Sequence, residues 1–211
     1  MKARNVAIAI AVIVLLGVLW IGLKLRGVQQ AAVKWEGAVP EITSENITKQ
    51  GDTFQIELTS RIDAPVDAVF DSFQHPEKSQ GMVEEIKMAK VLSGDEKKKT
   101  VEFHINVLGQ LQVLTVDLSY DPEQKRIGIK TVEGTTDIDG TYQLTPSPDG
   151  KRTLVTYKAK QVDKLPLPIP EAVEKSGIKE QFANLMRAIK KDLEQQGKLV
   201  ADAAREIRAA A

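Results

Sequence analysis

The sequence predicts an α+β domain: one curved antiparallel sheet of about six to seven strands wrapped on a long C-terminal helix, with one N-terminal transmembrane helix ahead of it. Three observations carry this. Val6–Leu23 is an unbroken apolar run without a charge or a proline. Residues 54–159 carry short apolar/polar alternations separated by turn residues, the mark of half-buried strands. Residues 173–193 carry apolar residues at helical spacing, with lysines and glutamates mostly on the other face.

The apolar run comes first. As a helix it would be about 27 Å long, close to the ~30 Å hydrocarbon core of a bilayer. It is apolar on every face, unlike a helix half-covered by a core. The alternative is a cleaved signal peptide, whose apolar stretch is usually ~7–15 residues and ends at a small-x-small site. Lys24 and Arg26 come directly after the run, and Ala31-Ala32 sit behind Gln29-Gln30, so an uncleaved anchor is the better reading. Trp20 suits an interfacial aromatic. Lys2 and Arg4 balance Lys24 and Arg26, and the positive-inside rule gives no orientation by itself. A short N-terminal tail before a large C-terminal domain favours a single-pass protein of the bacterial inner membrane with an extracytoplasmic domain.

Composition limits the possible functions. Twenty-nine Lys+Arg balance 29 Asp+Glu, which leaves no basic excess for nucleic acid. The absence of cysteine excludes disulfides, thiol catalysis and Cys-zinc sites. The organisation expected is an anchor over 1–26, a weakly patterned stalk over 27–50, a folded domain over 51–197, and an Ala/Arg-rich helical or disordered tail over 198–211. Asn46-Ile47-Thr48 matches a glycosylation sequon, taken as a chance match.

Within the domain, Phe54, Ile56, Leu58, Ser60 and Ile62 alternate with polar residues as a strand. Asp63-Ala64-Pro65 ends it. Pro65 suits the first position of a helix, with Asp67 near the positive end of its dipole. Val66, Val69, Phe70 and Phe73 give that helix its apolar face, and His75-Pro76 breaks it. A short helical or irregular piece reaches about Met82. Strands come next over Ile86–Leu92, Val101–Val107, Leu114–Tyr120, Ile127–Ile129, Ile138–Leu144 and Val155–Ala159, joined by turns at Gly94-Asp95, Gly109, Asp121-Pro122 and Pro146–Gly150. A bulge near Val113-Leu114 would reverse the facing of the strand beyond it. Lys97–Lys99 reads as a solvated hairpin tip. Pro166, Pro168 and Pro170 form a stiff link to a helix of about seven turns on which Val173, Ile178, Phe182, Leu185, Met186, Ile189 and Leu193 share a face. Gly197 is expected to stop it.

Ile62–Asp71, Gly140–Leu144 and the Leu165–Pro170 link with its long helix resemble, in order and spacing, the START-like superfamily (SRPBCC, the Bet v 1-like and polyketide cyclase type, with its helix-grip fold) over about residues 53–196. The resemblance implies a hydrophobic cavity between the sheet and the long helix. It also implies a hydrophobic small molecule, lipid or quinone-like, as the partner. Family members bind lipids, sterols, quinones, polyketides or plant hormones, and a minority are enzymes such as aromatase/cyclases. The alternatives are a cyclase- or dehydratase-type enzyme and a protein-interaction module with a collapsed cavity.

The candidate cavity residues are Phe103, Ile105, Leu118, Ile129, Tyr142 and Tyr157 on the sheet and Ile178, Phe182 and Met186 on the helix. The two tyrosines bring hydroxyls that orient a polar head group, and Met186 brings a flexible thioether. No catalytic residue, metal or cofactor is expected. His75 and His104 lie on different elements without a carboxylate partner identified for either, which makes no nucleophile–base pair. Glu133, Asp137 and Asp139 lack the spacing of an EF-hand and read as an acidic turn.

Overall fold

The computed structural model describes residues 35, 41–107, 109–164 and 169–209. Val6–Leu23 lies outside them. Among the described residues no helix is long and apolar enough to cross a membrane. The chain divides at Ala38/Val39, and the sheet and its helices belong to the second part.

The elements are β1 (Ser44–Gln50), β2 (Thr53–Ile62), α1 (Val66–Gln74), a short 3-10 helix (Pro76–Ser79), β3 (Ile86–Gly94), β4 (Lys98–Val107), β5 (Gln110–Asp121), β6 (Arg126–Glu133), β7 (Thr136–Pro146), β8 (Thr153–Asp163) and α2 (Glu171–Ala209). The strands form one sheet in the order β1-β2-β8-β7-β6-β5-β4-β3. Every neighbouring pair is antiparallel. The inner face packs on α2, and the core runs from Phe54, Leu58 and Ile62 through Val101, Val116 and Leu144 to Phe182 and Met186.

Eight strands stand where six to seven were expected. The additional one, β1, lies in the segment read as a stalk. Its sequence, SENITKQ, has a single apolar residue, Ile47, so no alternation marks it. It is an edge strand, held by its pairing with β2 from Ser44↔Thr59 to Gln50↔Thr53. Gly51 at φ +60° makes the two-residue turn between them, a backbone region that glycine enters without steric cost. Pro65 stands one residue earlier than expected, as the cap of α1.

Gly197 does not end the long helix, which continues to Ala209. A glycine in a helix interior costs only about 1 kcal/mol relative to alanine, and the Ala-rich sequence beyond it favours continuation. The strand after Val113-Leu114 keeps its facing. β5 pairs with β4 without a shift, and the irregularity falls between Thr115 and Val116 against β6.

The β7–β8 turn is locked by Asp149. Its carboxylate accepts a hydrogen bond from Ser147 Oγ and another from the Lys151 N–H at 3.2 Å, and Arg152 Nη2 lies 3.1 Å away. These hold its pKa at about 2, the Ser147 hydroxyl contributing most. A depressed carboxyl stabilises the folded state above its unfolded pKa, near ~3.9. The contribution is therefore complete above about pH 4 and fades as pH falls through about 2. An NMR titration of the Asp149 carboxyl carbon should show its midpoint near that lower value, and Ser147→Ala should move it upward.

Candidate functional site

Between the inner face of the sheet and α2 lies a cavity of about 240 Å³. It forms because α2 and α1 cover the sheet without filling the space over β4–β7. Its walls are mostly apolar: Phe103 and Ile105 from β4, Leu114, Val116 and Leu118 from β5, Ile127 and Ile129 from β6, and Ile178, Phe182 and Ile189 from α2. Its volume lies between that of a ~150 Å³ apolar cavity that takes up benzene and the ~300–1,000 Å³ of drug-sized pockets. That is room for one small ring system or one short chain.

One wall is aromatic. Tyr142 on β7 and Tyr157 on β8 are direct cross-strand partners, and their rings stack at 4.5 Å. Phe73 of α1 extends the row at 5.1 Å from Tyr142, and Phe182 of α2 extends it at 6.1 Å from Tyr157. Burial pushes both phenol pKa values above the ordinary range, so both stay protonated at physiological pH.

Neither hydroxyl has a hydrogen-bond partner among the described residues, whereas Tyr120 Oη donates to the Phe73 carbonyl at 3.2 Å. Tyr157→Phe is accordingly expected to change stability by less than about 0.5 kcal/mol, and Tyr120→Phe to cost about 1 kcal/mol. Urea unfolding of the two variants checks this.

Eight of the nine candidate residues line the cavity: Phe103, Ile105, Leu118, Ile129, Tyr142, Tyr157, Ile178 and Phe182. Met186 does not line it. The turn of α2 carries its side chain into the packed core, where it is fully buried. The polar residues around the cavity are absent from the sequence-derived set. Ser72 comes from α1, His75 from the junction after it, Lys78 and Ser79 from the 3-10 helix, Glu85 from the segment before β3, Gln161 from β8, and Gln181 and Asp192 from α2.

Two of these carried a signal. Gln161 continues the strand alternation of Tyr157 and Ala159. Asp192 continues the helical spacing of Ile178, Phe182, Leu185 and Ile189.

His75 sits at the rim with Glu77 Oε1 3.1 Å from Nδ1. His104 pairs with Glu102 at 3.0 Å on the outer face of β4. Asp137 is bound to Lys164 at 2.7 Å, and no group of three metal-ligating side chains occurs among the described residues.

An antiparallel sheet gripping a C-terminal helix over an apolar cavity defines a helix-grip domain. The chain belongs to the polyketide cyclase/dehydrase and lipid transport family, whose model matches residues 53–194. Solved structures share the fold at low identity. The Zhui aromatase/cyclase of a Streptomyces species is 16% identical over 68% of this chain and 95% of that one, with a TM-score of 0.59. A START superfamily protein from Mycobacterium smegmatis is 18% identical over 67% and 98%, with a TM-score of 0.56. A Thermus thermophilus protein is 18% identical over 67% and 94%, with a TM-score of 0.52. No curated protein matches the sequence.

Proposed function

We propose that this protein is a membrane-tethered, noncovalent binder of a hydrophobic small molecule, a lipid or a quinone-like ring, which it sequesters, presents or passes over a short distance. The observation that carries this is the apolar cavity, walled on one side by the Phe73–Tyr142–Tyr157–Phe182 row. Burying a ligand there gains roughly 25 cal/mol per Å² of apolar surface removed from water. The stacked rings favour a flat ring system lying against them. The two unpartnered phenols supply donors for a carbonyl or similar acceptor on it.

The volume favours one ring or one chain over a two-chain lipid, with any remaining tail passing out at the rim. In this reading Val6–Leu23 is the anchor, in the bacterial inner membrane with the domain outside the cytoplasm. About 20 residues separate it from β1, a reach of at most roughly 70 Å. The tether would keep the cavity close to the phase in which such ligands dissolve.

Native mass spectrometry of the full chain, freed from detergent in the gas phase, tests this when combined with solvent extraction and identification of what is released. One apolar molecule per chain is expected. A chain that carries none, and binds none from a membrane extract, contradicts it.

A further inference from the structure

Two carboxylates line the cavity, Glu85 and Asp192, and they differ in what their free oxygen meets. Glu85 Oε1 accepts a hydrogen bond from Asn184 Nδ2 at 2.8 Å, and its Oε2 is sealed away without a partner. Asp192 is 7% exposed. Its Oδ2 accepts from Ser72 Oγ at 3.1 Å and from Gln196 Nε2 at 2.8 Å, with Lys78 Nζ at 3.8 Å. Its Oδ1 accepts no hydrogen bond among the described residues, and it is not one of the sealed atoms. Asp192 lines the cavity, and Oδ1 is the oxygen it leaves open.

A helix built only to cover the sheet would carry an apolar residue here. Ile178, Phe182, Leu185 and Ile189 set the phase, and position 192 is its next step. Burying a carboxylate costs free energy that an apolar side chain would not, even with one oxygen hydrogen-bonded. Ser72 and Gln196 hold one carboxylate oxygen and so aim the other.

We infer that Asp192 is a specificity-determining residue, whose Oδ1 accepts a hydrogen bond from a hydroxyl on the ligand while the ligand's ring or chain lies against the apolar wall. Lys78 already supplies a positive charge beside the carboxylate, which favours a neutral hydroxyl over an ammonium as the donor. The inference rests on the cavity-binding reading above and adds a chemical requirement to it: the ligand is an amphiphile with a donor at one end.

The test uses an isosteric pair, 2-naphthol and 2-methylnaphthalene, titrated calorimetrically into the full chain at one detergent concentration, with affinities corrected for partition into protein-free micelles. The wild type is expected to prefer 2-naphthol about tenfold, as for a hydrogen bond to a charged acceptor. Asp192→Leu should abolish the preference, bringing the two affinities to within about threefold of each other. A merely structural role would weaken both probes alike. Asp192→Asn keeps the shape and a weaker acceptor, and should reduce the preference if the leucine variant does not fold. Equal affinities in the wild type, or a preference that survives both substitutions, overturn the inference and leave the cavity reading standing. Failure of the wild type to bind either probe overturns the cavity reading itself.

Discussion

Gly140→Val should lower the unfolding free energy by about 3 kcal/mol or more, and the melting temperature by roughly 6–12 °C. Gly140 sits on the inner face of β7 opposite Ala159 of β8. A Cβ at this position would stand 2.6 Å from Ala159 Cβ and 2.8 Å from the Lys158 carbonyl oxygen. The carbonyl is backbone, held in the β7–β8 ladder, and cannot rotate away. The sheet must open or bend between the two strands that carry Tyr142 and Tyr157.

Gly177 provides the contrast. It lies exposed in α2, and nothing comes within 4 Å of a Cβ built on it. Gly177→Ala should therefore stabilise by about 0.5–1 kcal/mol, through helix propensity alone. Thermal unfolding of both variants by circular dichroism separates steric demand at Gly140 from a general effect of removing a glycine.

Ile129→Trp has the largest expected effect on binding. Ile129 lies on β6 among the residues that line the cavity. An indole there occupies space the ligand needs, on a strand whose backbone is paired on both sides and cannot yield. Affinity for 2-methylnaphthalene should fall by about 100-fold or more, equivalent to some ~2.7 kcal/mol. The fold should survive, because the added atoms enter empty volume rather than a packed core. Val113→Trp, on the half-exposed outer face of β5, should leave affinity unchanged. Equal loss in both variants would point to a global effect of adding an indole to the sheet.

Most of this fold was legible in the sequence because its signals are local. Val101–Val107 and Leu114–Tyr120 alternate cleanly because one face of β4 and β5 is buried, and their register keeps that facing. The helical stripe from Ile178 to Ile189 shows for the same reason. β1 was not legible. Its hydrogen bonds come from a partner strand, its side chains are mostly solvated, and SENITKQ has no period to read.

In the site, strand parity found six of the sheet residues that line the cavity and left out others on the same face, among them Leu114, Val116 and Ile127. Helical spacing could not separate Met186, which packs in the core, from Phe182, which reaches the cavity. Those two residues lie about 40° apart around the helix, and the geometry of the sheet beneath decides between them. The polar rim was least visible. Ser72, Lys78 and Asp192 meet only after α1, the 3-10 helix and α2 fold together, and a separation of 120 positions between Ser72 and Asp192 leaves no local pattern. Among these three, Asp192 alone left a trace, as a carboxylate in phase with an apolar stripe.

A hydrophobic molecule held between the sheet and α2 must touch the residues that wall that space, and nuclear Overhauser contacts between bound 2-methylnaphthalene and the full chain show whether it does. Contacts are expected to the rings of Tyr142, Tyr157 and Phe182 and to the methyl groups of Ile129, with none to Val113 on the outer face. Contacts confined to outer-face residues, or none to those three rings at saturating probe, would contradict binding in that space.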